Sequence, residues 1–474
     1  YDSRKAAPGK VFVAMKGIRV DGHSFIPQVL KAGVRVLVTE RPVEEELKNS
    51  GLSEEELKQV TVVMVEEGRH ALALLSAARF DHPAKKLVMI GVTGTKGKTT
   101  TTHMIRAILL AAGKKVGMIG TTGTVIGDVV TPTLNTTPES YELHQAFAQM
   151  VEAGCEYAVM EVSSQGIKMH RTDGLYFNYA IFTNISPDHI GPGEHADFEE
   201  YLYYKTRLLN MCGIGLVNKD DKHAPQIIKA ANCELYTYSE ESKEADFVAS
   251  DIRYVSQPDF VGTEFHISGK YDMEVRLGIP GLFNVVNALA AVSVCSFLGL
   301  DQARISHALE NIRVNGRMEI VYTSERCTVL VDYAHNAVSM ESLLSTLRDY
   351  KPKRLVCVFG CGGNRSKDRR YSMGEIGGKM ADLSIITADN SRYEKVEDII
   401  ADIRGSIEKT GGKFIEIPDR REAIRYSILH AQPGDMVAVI GKGHEDYQEI
   451  NGVRHHFLDR EVIEETVKEL GEKA

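Results

Sequence analysis

LVMIGVTGTKGKTT, residues 87–100, is the stretch that decides the fold. An apolar run meets three glycines (Gly91, Gly94 and Gly97) and restarts at Lys98 as a helical pattern. A strand, a glycine-rich loop and a helix in that order make a phosphate cradle. Glycines let backbone N–H groups close around phosphate oxygens, and the helix adds its positive end. On this reading Gly94, Thr95, Lys96 and Gly97 form the loop, Lys98 reaches the β- and γ-phosphates, and Thr99, followed by Thr100, offers a hydroxyl to Mg²⁺. The common spacing would put a glycine at Val92; here Gly91 comes one place early and the core is GTKGKT, 94–99. A glycine-rich turn with a solvated lysine is the bland alternative, and the flanking strand and helix weigh against it. The stretch predicts an ATP site.

Working outward, short apolar strands alternate with helical patterns nearly throughout, which predicts an α/β chain with mostly parallel sheets. VFVAM (11–15), VRVLVTE (34–40) and TVVMV (61–65) read as strands, EEELKNSGLSEEELK (44–58) as a charged helical stretch, and FDHPAKK (80–86) as a linker. An apolar helix, FNVVNALAAVSVCSFLGL (283–300), precedes a further unit that begins near Asn315, with strands TVLVDY, RLVCVFG, LSIITAD and MVAVIG. The 474 residues suit roughly three domains. The net charge of −9 leaves no basic stripe for nucleic acid, so anionic ligands must be met by local clusters. Seven scattered cysteines predict reduced thiols in the cytoplasm, and Cys357 and Cys361 lack the second ligand pair of a zinc site. No apolar run reaches membrane-span length and no signal peptide is visible, so no membrane insertion is expected.

Four residues outside the loop carry candidate chemistry. Glu161 ends the strand in VMEVSSQG (159–166), and His189 lies in IFTNISPDHIG (181–191); each could hold a metal, and each taken alone is as readily structural. In DFEEYLYYKTRLLN (197–210), Phe198, Tyr201, Leu202, Lys205 and Leu209 fall on one helical face. That places Lys205 on an apolar stripe, where periodicity alone favours a lysine whose head reaches out to the rim. Arg392, in TADNSRYE (387–394), follows a strand end; a guanidinium there suits a carboxylate, although most loop arginines are solvated.

Taken together, GTKGKTT, EVSSQG, TNISPDH, the helix lysine, FNVVNALAA, NGRMEI and VDYAHN resemble the Mur ligase family, in that family's order. Further pointers are YDSR, DGHSFI, NTTP, FGCGGNR, DNSR and GKGHEDYQ. Within the family the likeness is to members that add the third peptide residue to UDP-N-acetylmuramoyl-L-alanyl-D-glutamate. The resemblance implies a three-domain α/β architecture: residues 1–84 for the nucleotide sugar, 85–314 as a central P-loop ATPase domain, and 315–474 as a Rossmann-like domain for the incoming amino acid. It implies an ATP-dependent amide ligase acting through an acyl phosphate, with Mg²⁺, small-molecule substrates and a monomeric state. Thr99 and Glu161 match the family's first magnesium site, and His189 with a carbamylated Lys205 matches the second. Asn284, Asn287, Arg317 and Asp332 align with residues around the nucleotide. Tyr1, Ser3, Ile18, Arg19, Val20, Asn135, Thr136, Thr137, Ser163 and Arg171 align with contacts to the nucleotide sugar. Met169 stands where relatives often carry glutamine, and it cannot supply the same hydrogen bonds.

For the acceptor, the resemblance implies Arg365, Asp389, Asn390, Ser391, Arg392, Gly441 and Glu445. Members that add meso-diaminopimelate have proline where this chain has Ser391; their arginine binds the distal carboxylate, which lysine lacks. The expected acceptor is diaminopimelate, with lysine or another diamino acid as the alternative. The rival readings are a folylpolyglutamate synthase-like ligase, a non-catalytic paralogue, and an oxidoreductase built on Gly360-x-Gly362. The last is weakened by Arg365 at the third glycine position.

Overall fold

Alternation of apolar strands and amphipathic helices builds two compact units, Tyr1–Tyr238 and Ser239–Ala474, in a computed structural model that describes residues 1–17 and 20–471. In the first unit β1 (Val11–Val13), β2 (Val36–Thr39) and β3 (Thr61–Met64) pair in parallel as a small sheet. The helix Gly68–Arg79 packs Leu72 beside Val13 and Val38.

The larger sheet of this unit contains β4 (Val88–Thr93), β5 (Val116–Gly120), β6 (Gly123–Ile126), β7 (Val129–Thr131), β8 (Tyr157–Glu161), β9 (Phe177–Phe182), β10 (Cys212–Asn218) and β11 (Glu234–Ser239), in the spatial order 11-10-9-4-8-5-6-7. β11 through β5 run parallel; β6 and β7 fold back antiparallel. Helices cover the central strands, so these read as continuous apolar runs rather than alternating ones. β4 lies between β8 and β9, and the chain leaves β4 toward one side and returns at β9 on the other. A crevice at the carboxyl ends of the strands is where ligands bind in such sheets.

In the second unit β12 (Phe247–Gln257), β13 (Phe260–Gly269) and β14 (Met273–Leu277) form antiparallel pairs, followed by the buried helix Leu282–Phe297. A six-stranded sheet then combines β15 (Glu319–Thr323), β16 (Cys327–Asp332), β17 (Arg354–Phe359), β18 (Leu383–Ile386), β19 (Phe414–Glu416) and β20 (Asp435–Ile440), in the order 15-16-20-17-18-19. Only β15 is antiparallel. β20, late in sequence, is inserted between β16 and β17 and is buried along its whole length.

Two local expectations change. The stretch 44–58 forms two short helices, Glu44–Lys48 and Glu54–Leu57, because Gly51 turns left-handed (φ +72°) and Ser53 starts a new helix through a capping box with Glu56. FDHPAKK is packed rather than free: Asp81 and His82 take left-handed φ, and Pro83 and Ala84 are buried. Among the described residues, no helix is long and apolar enough to cross a membrane.

Candidate functional site

The loop after β4 is closed as the glycines require. Gly94 (φ +143°) and Gly97 (φ +86°) hold conformations that L side chains rarely adopt, and a Cβ on Gly94 would fall 1.9 Å from Thr183 Oγ1. The end of β9 holds the loop's shape. Thr95 N donates to the Asn184 carbonyl (2.9 Å), Lys96 N to Asn184 Oδ1 (2.9 Å), and Thr183 Oγ1 to the Lys96 carbonyl (2.7 Å). Lys98 opens the helix Lys98–Ala111 and folds its Nζ back onto the Gly94 and Thr95 carbonyls, at 2.8 and 3.1 Å.

Three neighbouring strand ends meet here. Glu161, at the end of β8 and 1% exposed, accepts the Thr99 hydroxyl at 3.0 Å on each carboxylate oxygen. Thr121, just past β5, adds its N–H to Oε1 at 2.9 Å. A hydroxyl and a carboxylate are hard oxygen donors of the kind Mg²⁺ takes. The helical stripe predicted around Lys205 exists in part on the helix Phe198–Thr206, with Tyr201, Leu202 and Lys205 all buried; Leu209, also buried, falls in the tighter 3₁₀ turn Arg207–Asn210 that follows. Lys205 does not reach the rim. It is 2% exposed, donates to the Gly94 carbonyl at 2.7 Å and lies 4.7 Å from the centre of the Tyr201 ring. Burial, with the Lys98 ammonium second, holds its amine well below the ordinary lysine range. His189 lies on the exposed side of Tyr201, with ring centroids 6.3 Å apart, in a left-handed conformation (φ +54°) and bonded through Nδ1 to Glu194 at 2.9 Å.

The residues aligned with nucleotide-sugar binding in part form one network. Thr137 Oγ1 donates to the Glu161 carbonyl (3.0 Å) and accepts Ser163 N (2.9 Å), while Thr136 shares a hydroxyl contact with Thr121. Arg171 grips Glu139 through Nε (2.9 Å) and donates to the Thr137 carbonyl (3.0 Å). Tyr1 donates to Glu142 at 2.8 Å; Ser3 sits in the first short turn, and Asn135 and Val20 are exposed. Ile18 and Arg19 lie outside the described residues.

In the second unit, Asn284 and Asn287 are buried on the helix Leu282–Phe297, joined by a 3.2 Å bond from Asn287 Nδ2 to Asn284 Oδ1. Asp332, at the end of β16, accepts Met318 N and Ala334 N at 2.8 Å each, and the Arg317 guanidinium lies 5.0 Å from the Tyr333 ring centre.

The carboxyl ends of β16, β20, β17 and β18, four strands adjacent in the sheet, surround a cavity of about 270 Å³. Of the residues that the resemblance implied for the acceptor, Arg365, Asp389, Asn390, Arg392, Gly441 and Glu445 line it, whereas Ser391 is buried and outside the lining. Tyr333, His335 and Arg369 also line it without a role assigned from sequence, although the first two stand in VDYAHN and the third in the basic run SKDRR. Arg392 takes a left-handed φ of +52°, and its NH1 donates to the Gly363 carbonyl at 2.6 Å, which fixes the guanidinium plane. Glu445 accepts Asn390 Nδ2 at 2.9 Å, with buried Lys442 at 3.5 Å. The cavity therefore offers three arginines and two carboxylates, a charge pattern suited to a ligand bearing both carboxylates and ammonium groups.

Three family models match in sequence: the Mur ligase family, catalytic domain, over residues 1–80; the Mur ligase middle domain over 92–295; and the Mur ligase, glutamate ligase domain over 316–443. The chain is 39% identical over 475 residues to a Caldanaerobacter subterraneus subsp. tengcongensis protein named UDP-N-acetylmuramoyl-L-alanyl-D-glutamate--2,6-diaminopimelate ligase, covering 99% of this chain and 94% of the relative. A Clostridium perfringens protein of the same name is 38% identical over 471 residues, covering 98% and 93%. A solved structure of a ligase of that name superposes with a TM-score of 0.74 at 30% identity, covering 100% of this chain and 94% of the other. With that extent of likeness across all three matched regions, the chain belongs to the Mur ligase family, with its three-domain α/β fold.

Proposed function

We propose that the chain is an ATP-dependent ligase that joins an amine of meso-diaminopimelate to the D-glutamyl carboxylate of UDP-N-acetylmuramoyl-L-alanyl-D-glutamate, as a cytoplasmic monomer making peptidoglycan precursor. Residues 1–84 take the nucleotide sugar, 85–314 the ATP, and 315–474 the amino acid. The observation that carries the acceptor is the cavity at the ends of β16, β17, β18 and β20, where Arg392, Arg365 and Arg369 face Asp389 and Glu445. Lysine has one carboxylate fewer than diaminopimelate and would leave a guanidinium without its partner.

In this reading the substrate carboxylate attacks the γ-phosphate of ATP, breaking its bond to ADP and giving an acyl phosphate; a neutral amine of the acceptor then attacks the acyl carbon, expelling phosphate and losing a proton to form the amide. Both reactants of the first step are anionic, so charge must be neutralised where they meet. N–H groups at the start of the helix Lys98–Ala111 and the Lys98 ammonium hold the phosphates, with Lys98 leaving the Gly94 and Thr95 carbonyls to do so. Thr99 and Glu161 fit Mg²⁺, and what the bound ion supplies is charge neutralisation between carboxylate and phosphate. As an ammonium, Lys205 repels a metal ion. Its burial favours the neutral amine, the form that reacts with CO₂ with loss of one proton to solvent; the carbamate would offer oxygen, and His189 an imidazole nitrogen, to a second metal ion. Asp389 and Glu445 accept from the acceptor's ammonium groups, and the arginines fix its carboxylates.

The test is phosphate release from ATP with the purified nucleotide dipeptide and diaminopimelate, lysine or ornithine as acceptor. Diaminopimelate-dependent release is expected; equal turnover with lysine overturns the acceptor assignment.

A further inference from the structure

Away from the phosphate loop, a second set of chemistry-bearing side chains converges on one point. His70 comes from the helix Gly68–Arg79, and His170 and Asp173 from the turn that follows the helix Ser164–Lys168. Asp173 Oδ2 lies 2.6 Å from His70 Nδ1 and 2.8 Å from His170 Nδ1. The three donor atoms fall within 4.8 Å of one another. The imidazole rings stand edge to face, with centroids 6.3 Å apart, so their Nδ1 atoms meet without the rings stacking. His170 holds a left-handed backbone (φ +55°), a conformation that costs free energy in a non-glycine residue and persists only where its surroundings fix it.

We propose that His70, His170 and Asp173 form a binding site for a divalent transition-metal ion of the Zn²⁺ class. Two imidazole nitrogens and one carboxylate oxygen are the ligand types such ions select over Mg²⁺ or Ca²⁺, which take oxygen. Bonds of about 2.0–2.2 Å to each ligand need only a small opening of a cluster this tight. The side chains of His70, His170 and Asp173 are 50%, 38% and 22% exposed, so solvent can complete the coordination and an ion can enter. As hydrogen bonds alone, surface His–Asp contacts return little for ordering three side chains from two segments 100 residues apart. A metal ion makes that ordering favourable.

The site also has a neighbour that gives it a consequence. Arg69 and Arg171, each next in sequence to one of the histidines, both pair with Glu139, at 3.1 and 2.8 Å. The dipeptides Arg69–His70 and His170–Arg171 thus make two parallel clasps between the first sheet's helix and the turn after the helix Ser164–Lys168. An ion on the histidine clasp fixes the backbone that presents Arg171. The inference does not depend on which substrate Arg171 meets.

The test uses the full chain with excess Mg²⁺ present to occupy oxygen sites, titrated with Zn²⁺ by calorimetry and with Co²⁺ by visible absorption. Wild type should bind one equivalent that His70→Ala and Asp173→Asn each weaken by more than about tenfold, the loss seen on removing even an outer partner of a metal ligand. His189→Ala should retain that equivalent. Circular dichroism confirms that each variant is folded, and Asp173→Asn, nearly isosteric, keeps the test valid if His70→Ala is not. Zn²⁺ should raise the melting temperature of wild type more than that of either variant. Equal stoichiometry and affinity in wild type and both variants, or no binding by wild type, shows a hydrogen-bonded clasp only and overturns the proposal.

Discussion

Replacing Arg392 by alanine removes one of the guanidinium groups that line the cavity in the second unit, the one proposed to hold a carboxylate of the acceptor. The surrounding loop should survive, because Arg392 N still donates to the Glu449 carbonyl (3.0 Å) and the left-handed backbone is no worse for alanine than for arginine. What disappears is the side chain's 2.6 Å bond to the Gly363 carbonyl, its 3.7 Å approach to Glu449, and the remaining N–H groups available to a carboxylate. The Glu449 contact is partly exposed and screened, so it contributes little. A charge-assisted, bidentate contact to a ligand carboxylate is worth about 1.5–3 kcal/mol, which corresponds to roughly a ten- to hundred-fold loss in kcat/KM for diaminopimelate. KM for ATP and for the nucleotide dipeptide should stay within about twofold, since neither touches this carboxylate contact. Arg392→Lys should recover little, because an ammonium supplies neither the planar fork nor the Gly363 bond in the same geometry. The assay is steady-state phosphate release with each substrate varied in turn. An unchanged KM for diaminopimelate, or a loss shared equally among all three substrates, refutes the assignment.

Lys205→Ala should lose most activity and regain part of it with a small carboxylic acid, and ¹³C-labelled CO₂ should give a carbamate signal in wild type only. Because burial holds its amine below the ordinary lysine value of 10.5, the unfolded chain binds the proton more readily; in the unmodified protein, stability relative to Lys205→Met should rise with pH from the depressed value toward 10.5, then level off. Denaturant melts across that range check the sign. Arg420 and Asp459, both 0% exposed and 2.7 Å apart, form an ion pair inside the second unit, so Asp459→Ala should cost about 3–5 kcal/mol in thermal or urea unfolding by stranding a buried guanidinium.

Much of this was written locally. The sequence LVMIGVTGTKGKTT determines a strand, a loop that only glycine can close and a helix, because apolar runs and positive φ are properties of neighbouring residues. The stripe through Phe198, Tyr201, Leu202 and Lys205 likewise announced a lysine on a buried face. Periodicity could not tell a rim lysine from a buried one; the Gly94 carbonyl it meets lies 111 residues away. The apolar runs of β16, β17, β18 and β20 were each visible, yet their order was not. The insertion of β20 between β16 and β17 gathers Tyr333, Arg365, Asp389, Arg392 and Glu445 around one cavity. The same holds for His70 and the His170–Asp173 turn, which carry no shared motif and meet only through packing of the helix Gly68–Arg79. Strand pairing and helix docking are chosen by the summed burial of whole faces, a long-range quantity with no local signature. The sequence therefore determined which residues could do chemistry, and the tertiary structure decided which of them do it together.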